Sequence, residues 1–212
     1  MIARLRPFLL PLAFAGLALV IYNTRISREM PEFAAARVAA TRVLAAQPLY
    51  GQPDSPNFSH LPIVGLIFAP FAGLGADVGE AIWFALSMGL VVSMLRWSVR
   101  GLPERRLKEP LLIALTGVAM AGFFVRELVL GQPHLLMGAL LIAAILIVQI
   151  DLPRAGAVLV GIAAWIEPSA LVLLPWLGFT QGVAAAVVTA AVFAAGLAVP
   201  LFWYDGTATS PC

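Results

Sequence analysis

Long apolar blocks extend from Phe8 to Tyr204, and almost every ionisable residue lies between them. The blocks are rich in Leu, Ala, Val and Gly and show no period-two alternation of polar and apolar residues. Several approach the roughly 20 residues that a helix needs to cross a bilayer, and a helix satisfies its own backbone hydrogen bonds in lipid. The sequence therefore predicts an all-α, polytopic bundle of transmembrane helices.

The composition is typical of a membrane protein and does not favour a soluble domain, a nucleic-acid-binding protein or a metal-binding protein. Charged residues make up 11% of the chain and hydrophobic residues 61%, with a mean hydropathy of +0.96, whereas about 25% of residues are charged in soluble domains. The net charge of +2 is spread over several loops, which does not favour nucleic-acid binding. The one cysteine, Cys212, and the two histidines, His60 and His134, have no metal-ligand spacing, so we expect no bound metal and no cofactor.

The apolar blocks suggest the following topology. Arg4 and Arg6 precede the block from Phe8 to Tyr22, which we interpret as an uncleaved first span with a cytoplasmic N-terminus. If the block from 61 to 74 crosses the membrane, the basic loop 96–108 faces outward, against the positive-inside tendency; if that block is re-entrant, the conflict disappears. Both topologies stay open. The later blocks are 61–74, 78–95, 111–125, 135–150, 155–166, 169–179 and 183–204.

Residues 23–60 form the longest polar interval, which we interpret as an external loop within a single membrane domain, 1–212. A first-turn proline and acidic residue, Pro31 and Glu32, predict the start of a helix in this loop. Apolar residues at helical spacing then share one face, which predicts a helix that lies along the membrane surface with this face toward lipid. These residues are Phe33, Ala36, Ala40, Val43 and Leu44.

Five short sequence motifs carry a resemblance to a known family. They are Glu32-Phe33, Leu49-Tyr50, Phe58-Ser59-His60-Leu61-Pro62 with the later Ala69-Pro70, Gly131-Gln132-Pro133-His134, and Ile166-Glu167-Pro168. In the order of these motifs the chain resembles the glycosyltransferase family 87 membrane enzymes of the GT-C superfamily, which use polyprenyl-phosphate sugars. The chain departs from the usual family pattern at Glu32, His134 and Glu167, where Asp, Asn and Lys are common.

The resemblance implies an activity and a set of roles. The activity is transfer of a hexose, similar to mannose, from a polyprenyl phosphate to a lipid or glycan acceptor outside the cytoplasm, with membrane lipids as further partners. Glu32 is then the general base, and Arg126, Gln132 and His134 hold the polar head of the donor. The resemblance also implies a multi-pass protein of the bacterial inner membrane, similar to the N-terminal half of a longer family fold. The oligomeric state is not implied.

Each of these residues also has a simpler interpretation. Glu32 is a helix-start acid favoured by the macrodipole, Arg126 and Glu127 form a self-neutralising pair, and the Gln132 to His134 turn is interfacial. A carboxylate at membrane depth costs roughly 2.5 to 3.5 kcal/mol, so Glu167, with His60, is a candidate intramembrane polar site. Glu167 could serve a proton pathway, pair with Arg126, stay protonated or lie at the interface.

Two other function classes remain open. The first is a truncated, non-catalytic relative that keeps a scaffold or a lipid-binding groove. The second is a small transporter subunit with Glu167-Pro168 as a broken-helix ion site. The sequence shows no inverted halves with matching interruptions, which a transporter of that kind would have.

Overall fold

The computed structural model describes residues 30–50, 58–102, 104 and 106–203, together with positions 16 and 20. This part of the chain contains helices and loops and no strand, which confirms the all-α prediction. The first predicted span, Phe8 to Tyr22, lies outside the described residues except for Gly16 and Val20. The helices are α1 (Pro31–Leu44), α2 (Pro62–Ile67), α3 (Ala69–Ala72), α4 (Ala76–Arg100), α5 (Glu109–Ala119), α6 (Ala121–Leu130), α7 (His134–Gln149), α8 (Pro153–Ile166), a 3₁₀ helix (Pro168–Val172), α9 (Leu173–Gln181) and α10 (Val183–Trp203).

Two of the described helices, α4 and α10, are long and apolar enough to cross a membrane. The pair α5 and α6 meets the same criterion if it is counted as one broken span. Shorter apolar helices, α7 and α8, pack beside them. The fold is a membrane helix bundle, and the chain is a membrane protein.

The block from 61 to 74 forms two short helices, α2 and α3, with a break at Phe68. At about 1.5 Å per residue they extend over only about half of the roughly 30 Å hydrocarbon core. That length fits the re-entrant interpretation better than a full crossing. The side of the membrane on which the basic loop 96–108 lies stays a prediction.

The predicted span from 111 to 125 is not a straight helix. It divides at Met120 into α5 and α6, whose axes differ by 63°. No residue of α5 is buried against the described protein, whereas α6 buries Phe124, Glu127 and Leu128. The bend therefore turns the end of this segment from the periphery into the bundle, and the predicted block 111–125 lies on two helices and not on one.

The helix predicted in the first loop is present as α1, and its apolar face is covered by protein. Phe33, Ala36, Ala40 and Val43 are each at most 2% exposed, because this face packs on α2 and α3. Leu44, which we assigned to the same face, is 47% exposed at the end of the helix. The periodicity of the sequence identifies the buried face but not whether lipid or protein covers it.

Helices α7, α8 and α10 pack closely through small residues. A Cβ added to Gly156 would lie 2.5 Å from Val148 and 2.9 Å from the carbonyl oxygen of Ala144 in α7. A Cβ added to Gly161 would lie 2.7 Å from Val192 in α10. Small residues allow this close approach in membrane bundles. We call the contact of α8 with α7 and α10 the small-residue interface.

The break predicted at Glu167-Pro168 is confirmed. Glu167 ends α8 in an extended conformation (φ −146°, ψ 117°), and Pro168 begins the 3₁₀ helix. A proline disfavours the helical conformation of the residue before it, which accounts for this boundary. The predicted half-length pieces 155–166 and 169–179 correspond to α8 and to the 3₁₀ helix with α9.

Candidate functional site

The turn between α6 and α7 is held in place at Gly131. This residue ends α6 with φ +70°, in the left-handed region that favours glycine. A Cβ at Gly131 would lie 2.8 Å from the Cβ of Phe33 and 2.9 Å from the Cβ of Met30. The indole nitrogen of Trp83 donates a hydrogen bond to the Gly131 carbonyl at 3.0 Å. The turn therefore packs against the start of α1, at Met30 and Phe33, which lie before and after Glu32 in the sequence.

Four aromatic rings, one of them in α1, pack together and hold the start of this helix in place. Phe33 is fully buried, and its ring lies 5.4 Å from Phe71, 5.9 Å from Phe68 and 6.0 Å from Trp83 between centroids. Phe68 and Trp83 are 4.6 Å apart. We call these four residues the aromatic cluster. Because Trp83 also bonds Gly131, the aromatic cluster links α1, α3, α4 and the turn into one unit.

Gln132 and His134 follow Gly131 in the sequence, and both contact a buried carboxylate, Glu127. Glu127 is 4% exposed, and its Oε2 lies 3.3 Å from Nδ1 of His134. With its amide nitrogen toward the carboxylate, Gln132 donates to Oε1 of Glu127 at 2.8 Å. The opposite amide orientation would face the carboxylate with another acceptor, so we adopt this one. Both predicted donor-binding residues of the turn thus contact the same side chain.

His60 and Glu167 complete the group. The rings of His60 and His134 are 6.0 Å apart, and Nε2 of His134 lies 3.9 Å from Oε2 of Glu167. The hydroxyl of Tyr50 donates to the carbonyl of His60 at 2.7 Å, which ties His60 to the residues after α1. His60, Glu127, Gln132, His134 and Glu167 are called the polar cluster below.

Glu32 borders the polar cluster. It is partly buried in the first turn of α1, and its charge acts on both His60 and Glu127. Burial lowers the pKa of His60 below its ordinary value of 6.5, and the neighbouring His134 lowers it further. The charges of Glu32 and Glu167 and a backbone hydrogen bond with Ile166 oppose this shift in the pKa of His60. Glu32 therefore belongs to the same electrostatic environment as the predicted donor-binding residues.

Arg126 does not share the buried position of its neighbour Glu127. Its side chain is exposed, whereas Glu127, one position on and about 100° around the helix, points into the protein. Glu127 contacts His134 and Gln132, so the predicted Arg126–Glu127 pair was wrong. Glu167 contacts His134 and not Arg126, so that pairing was wrong as well. Arg126 acts on Glu127 only through its charge.

Within the described residues no three His, Cys, Asp or Glu side chains are arranged to hold a metal ion. The polar cluster instead combines carboxylates, an amide and two imidazoles at the ends of α6, α7 and α8 and beside the start of α1. Such groups accept protons and hydrogen-bond hydroxyl and phosphate oxygens. The chemistry available here is acid–base and polar binding chemistry.

Comparison with known sequences decides the family. The sequence model of glycosyltransferase family 87 matches residues 58–210, which is most of the chain. The chain belongs to glycosyltransferase family 87. It is therefore a membrane glycosyltransferase by family. No curated protein and no solved structure is significantly similar to it.

The family 87 match includes all five residues of the polar cluster and begins after Glu32. The role of Glu32 therefore depends on its position and not on the matched segment. Sequence analysis missed Glu127, because the adjacent Arg126 offered a simple partner. The signal that could have identified it is a carboxylate at the end of an apolar helix, four residues before the αL glycine Gly131.

Proposed function

We propose that this family 87 protein transfers a hexose, similar to mannose, from a polyprenyl phosphate to a lipid or glycan acceptor. The reaction takes place on the non-cytoplasmic side of a bacterial inner membrane. The observation that carries the proposal is the contact of Gly131 with Met30 and Phe33, which brings Glu32 beside the turn with Gln132 and His134. An acceptor hydroxyl and a donor head group need a carboxylate and polar ligands within one small volume.

In the proposed reaction Glu32 is the general base. It takes the proton from the acceptor hydroxyl while the acceptor oxygen bonds to the anomeric carbon. The bond from that carbon to the phosphate oxygen breaks, and the polyprenyl phosphate leaves with the electron pair. A single displacement inverts the anomeric centre. Partial burial of Glu32 at the edge of the polar cluster leaves its carboxylate accessible to an acceptor.

His134 and Gln132 then serve the donor end. His134 is partly exposed, with 28% of its side-chain surface accessible, so its ring can meet a ligand. A hydrogen bond to the leaving phosphate oxygen stabilises the charge that develops there, and this is usually a large term in catalysis. The exposed Arg126 adds a guanidinium at the rim for the phosphate.

A non-catalytic, lipid-binding relative is the second candidate. Three carboxylates, Glu32, Glu127 and Glu167, surround the turn and repel an anionic phosphate, which favours weak binding without transfer. The two candidates differ in one observable. Only the first forms a new glycosidic bond.

The test uses the purified protein in lipid nanodiscs with a radiolabelled polyprenyl-phosphate hexose and a bacterial lipid extract as acceptor. We expect labelled product from the wild type and from Glu104→Gln, a control in an exposed loop, and a loss of product with Glu32→Gln. Equal product from wild type and Glu32→Gln would exclude the role of Glu32. Donor binding without product in the wild type would favour the second candidate.

A further inference from the structure

We infer that Glu127 is a positioning residue for His134: it holds Nδ1 in the protonated form and thereby directs Nε2 toward the substrate. The role of His134 in the reaction depends on the proposed function above. The orientation of its ring does not. The inference concerns the buried carboxylate that the family resemblance did not assign.

The first argument is the hydrogen-bond requirement of a buried carboxylate. Glu127 is almost completely buried, and a charge removed from water needs donors on both oxygens. Gln132 supplies one donor to Oε1 at 2.8 Å. The same amide nitrogen lies 3.2 Å from Oε2 and 3.1 Å from Nδ1 of His134, but its shortest contact is the one with Oε1. The Nδ1–H of His134, at 3.3 Å, gives Oε2 a donor of its own. An unprotonated Nδ1 would instead place its lone pair against the carboxylate.

The second argument is the geometry of the ring. His134 is the first residue of α7, and the turn before it is fixed by the αL conformation of Gly131 and by the hydrogen bond from Trp83. Its backbone therefore has little freedom, and Glu127 fixes the remaining rotation of the ring. When Nδ1 faces Glu127, Nε2 faces the more exposed side of the polar cluster, where Glu167 is 41% exposed.

The third argument is chemical. In a neutral imidazole one nitrogen donates and the other accepts, and the hydrogen bond at one nitrogen sets the role of the other. With Nδ1–H bound to Glu127, the lone pair of the neutral ring is on Nε2, which lies 3.9 Å from Oε2 of Glu167. A proton taken up there from solvent water makes Nε2 a donor to a phosphate oxygen, and the carboxylate of Glu127 stabilises the imidazolium. Without Glu127 the ring can rotate and exchange tautomers, so a smaller fraction of molecules presents the correct nitrogen.

The test observes the tautomer directly. The chain has two histidines, so ¹⁵N-histidine labelling in nanodiscs gives two sets of ring signals, and a His60→Gln variant assigns them. We expect the His134 signals to show protonated Nδ1 at neutral pH in the wild type and in Glu104→Gln. In Glu127→Leu we expect loss of this preference. Glu127→Gln keeps an acceptor oxygen, so it should retain the Nδ1–H form. A wild-type spectrum with unprotonated Nδ1 overturns the inference.

Transfer activity provides the second readout. We expect Glu127→Leu to lower kcat about 10- to 100-fold with a smaller change in KM, because misplacement of a catalytic group by about 1 Å costs on that order. Glu127→Gln should recover most of this loss. A melting curve of each variant in detergent identifies unfolding. If the spectra behave as expected and kcat is unchanged in folded Glu127→Leu, the positioning role is wrong while the proposed function stands. If His134→Ala also leaves kcat unchanged, the role proposed for His134 is wrong.

Discussion

Two glycine contacts in this molecule look alike in sequence and have different consequences. At the small-residue interface Gly161 lets α8 approach Val192 of α10, and the neighbouring groups are apolar or bonded within the interface. Gly131 lets the turn after α6 approach Phe33 and Met30. This approach brings Glu32 beside the polar cluster. The first contact stabilises the bundle. The second also positions the side chains of the candidate functional site. The difference lies in which side chains the close approach brings together.

The largest expected effect is at the turn. Gly131→Ala places an L-residue in a left-handed conformation, at a cost of about 1 to 2 kcal/mol, and its Cβ meets two side chains at under 3 Å. We expect a lower melting temperature and transfer close to background. The control is Gly89→Ala, because a Cβ at Gly89 meets nothing within 4 Å. Wild-type transfer by Gly131→Ala would contradict the placement of α1 against the turn.

The next effect separates chemistry from stability. Glu32→Gln removes the proposed base and keeps the size of the side chain, so we expect transfer to fall roughly 100- to 10,000-fold. The melting temperature should change little, since Glu32 makes no described hydrogen bond that holds the bundle together. Parallel transfer and melting measurements check this. A large loss of stability with this substitution would mean that Glu32 is structural.

A smaller effect should appear at the small-residue interface. Gly161→Ala forces a Cβ to within 2.7 Å of Val192 and 3.0 Å of the Thr189 carbonyl, and overpacking of this kind costs about 1 to 3 kcal/mol. We expect a lower melting temperature with kcat preserved at temperatures where the variant is folded. Gly178→Ala is the matched control, because its Cβ would meet Ala186 at an ordinary 3.6 Å. A specific loss of kcat in folded Gly161→Ala would remove the distinction between the two contacts.

Several helix boundaries were predictable from the sequence because a proline lies at each of them. Pro31, Pro62 and Pro153 begin α1, α2 and α8, and Pro168 follows the end of α8. These boundaries follow from the fixed φ of proline and from its effect on the preceding residue. The bend at Met120 has no proline to indicate it, and the sequence there is one apolar block, 111–125.

The site was predictable in part, for a similar reason. Gln132, His134, His60 and Glu167 are polar residues in apolar surroundings, and the structure brings all four together. Glu127 was missed because two adjacent opposite charges, Arg126 and Glu127, look self-sufficient in sequence. On a helix they point about 100° apart, and only tertiary structure decides which one enters the protein.

The central claim is that Glu32 lies beside the polar cluster, and the titration of His60 by ¹⁵N NMR tests it most directly. His60 lies in a loop, and burial together with His134 holds its pKa below 6.5. The negative charge of Glu32 favours the protonated ring, so its removal in Glu32→Gln should lower the pKa of His60 further, while Glu104→Gln leaves it unchanged. Identical titration curves for His60 in wild type and Glu32→Gln would show that Glu32 is remote from the polar cluster and would contradict the account.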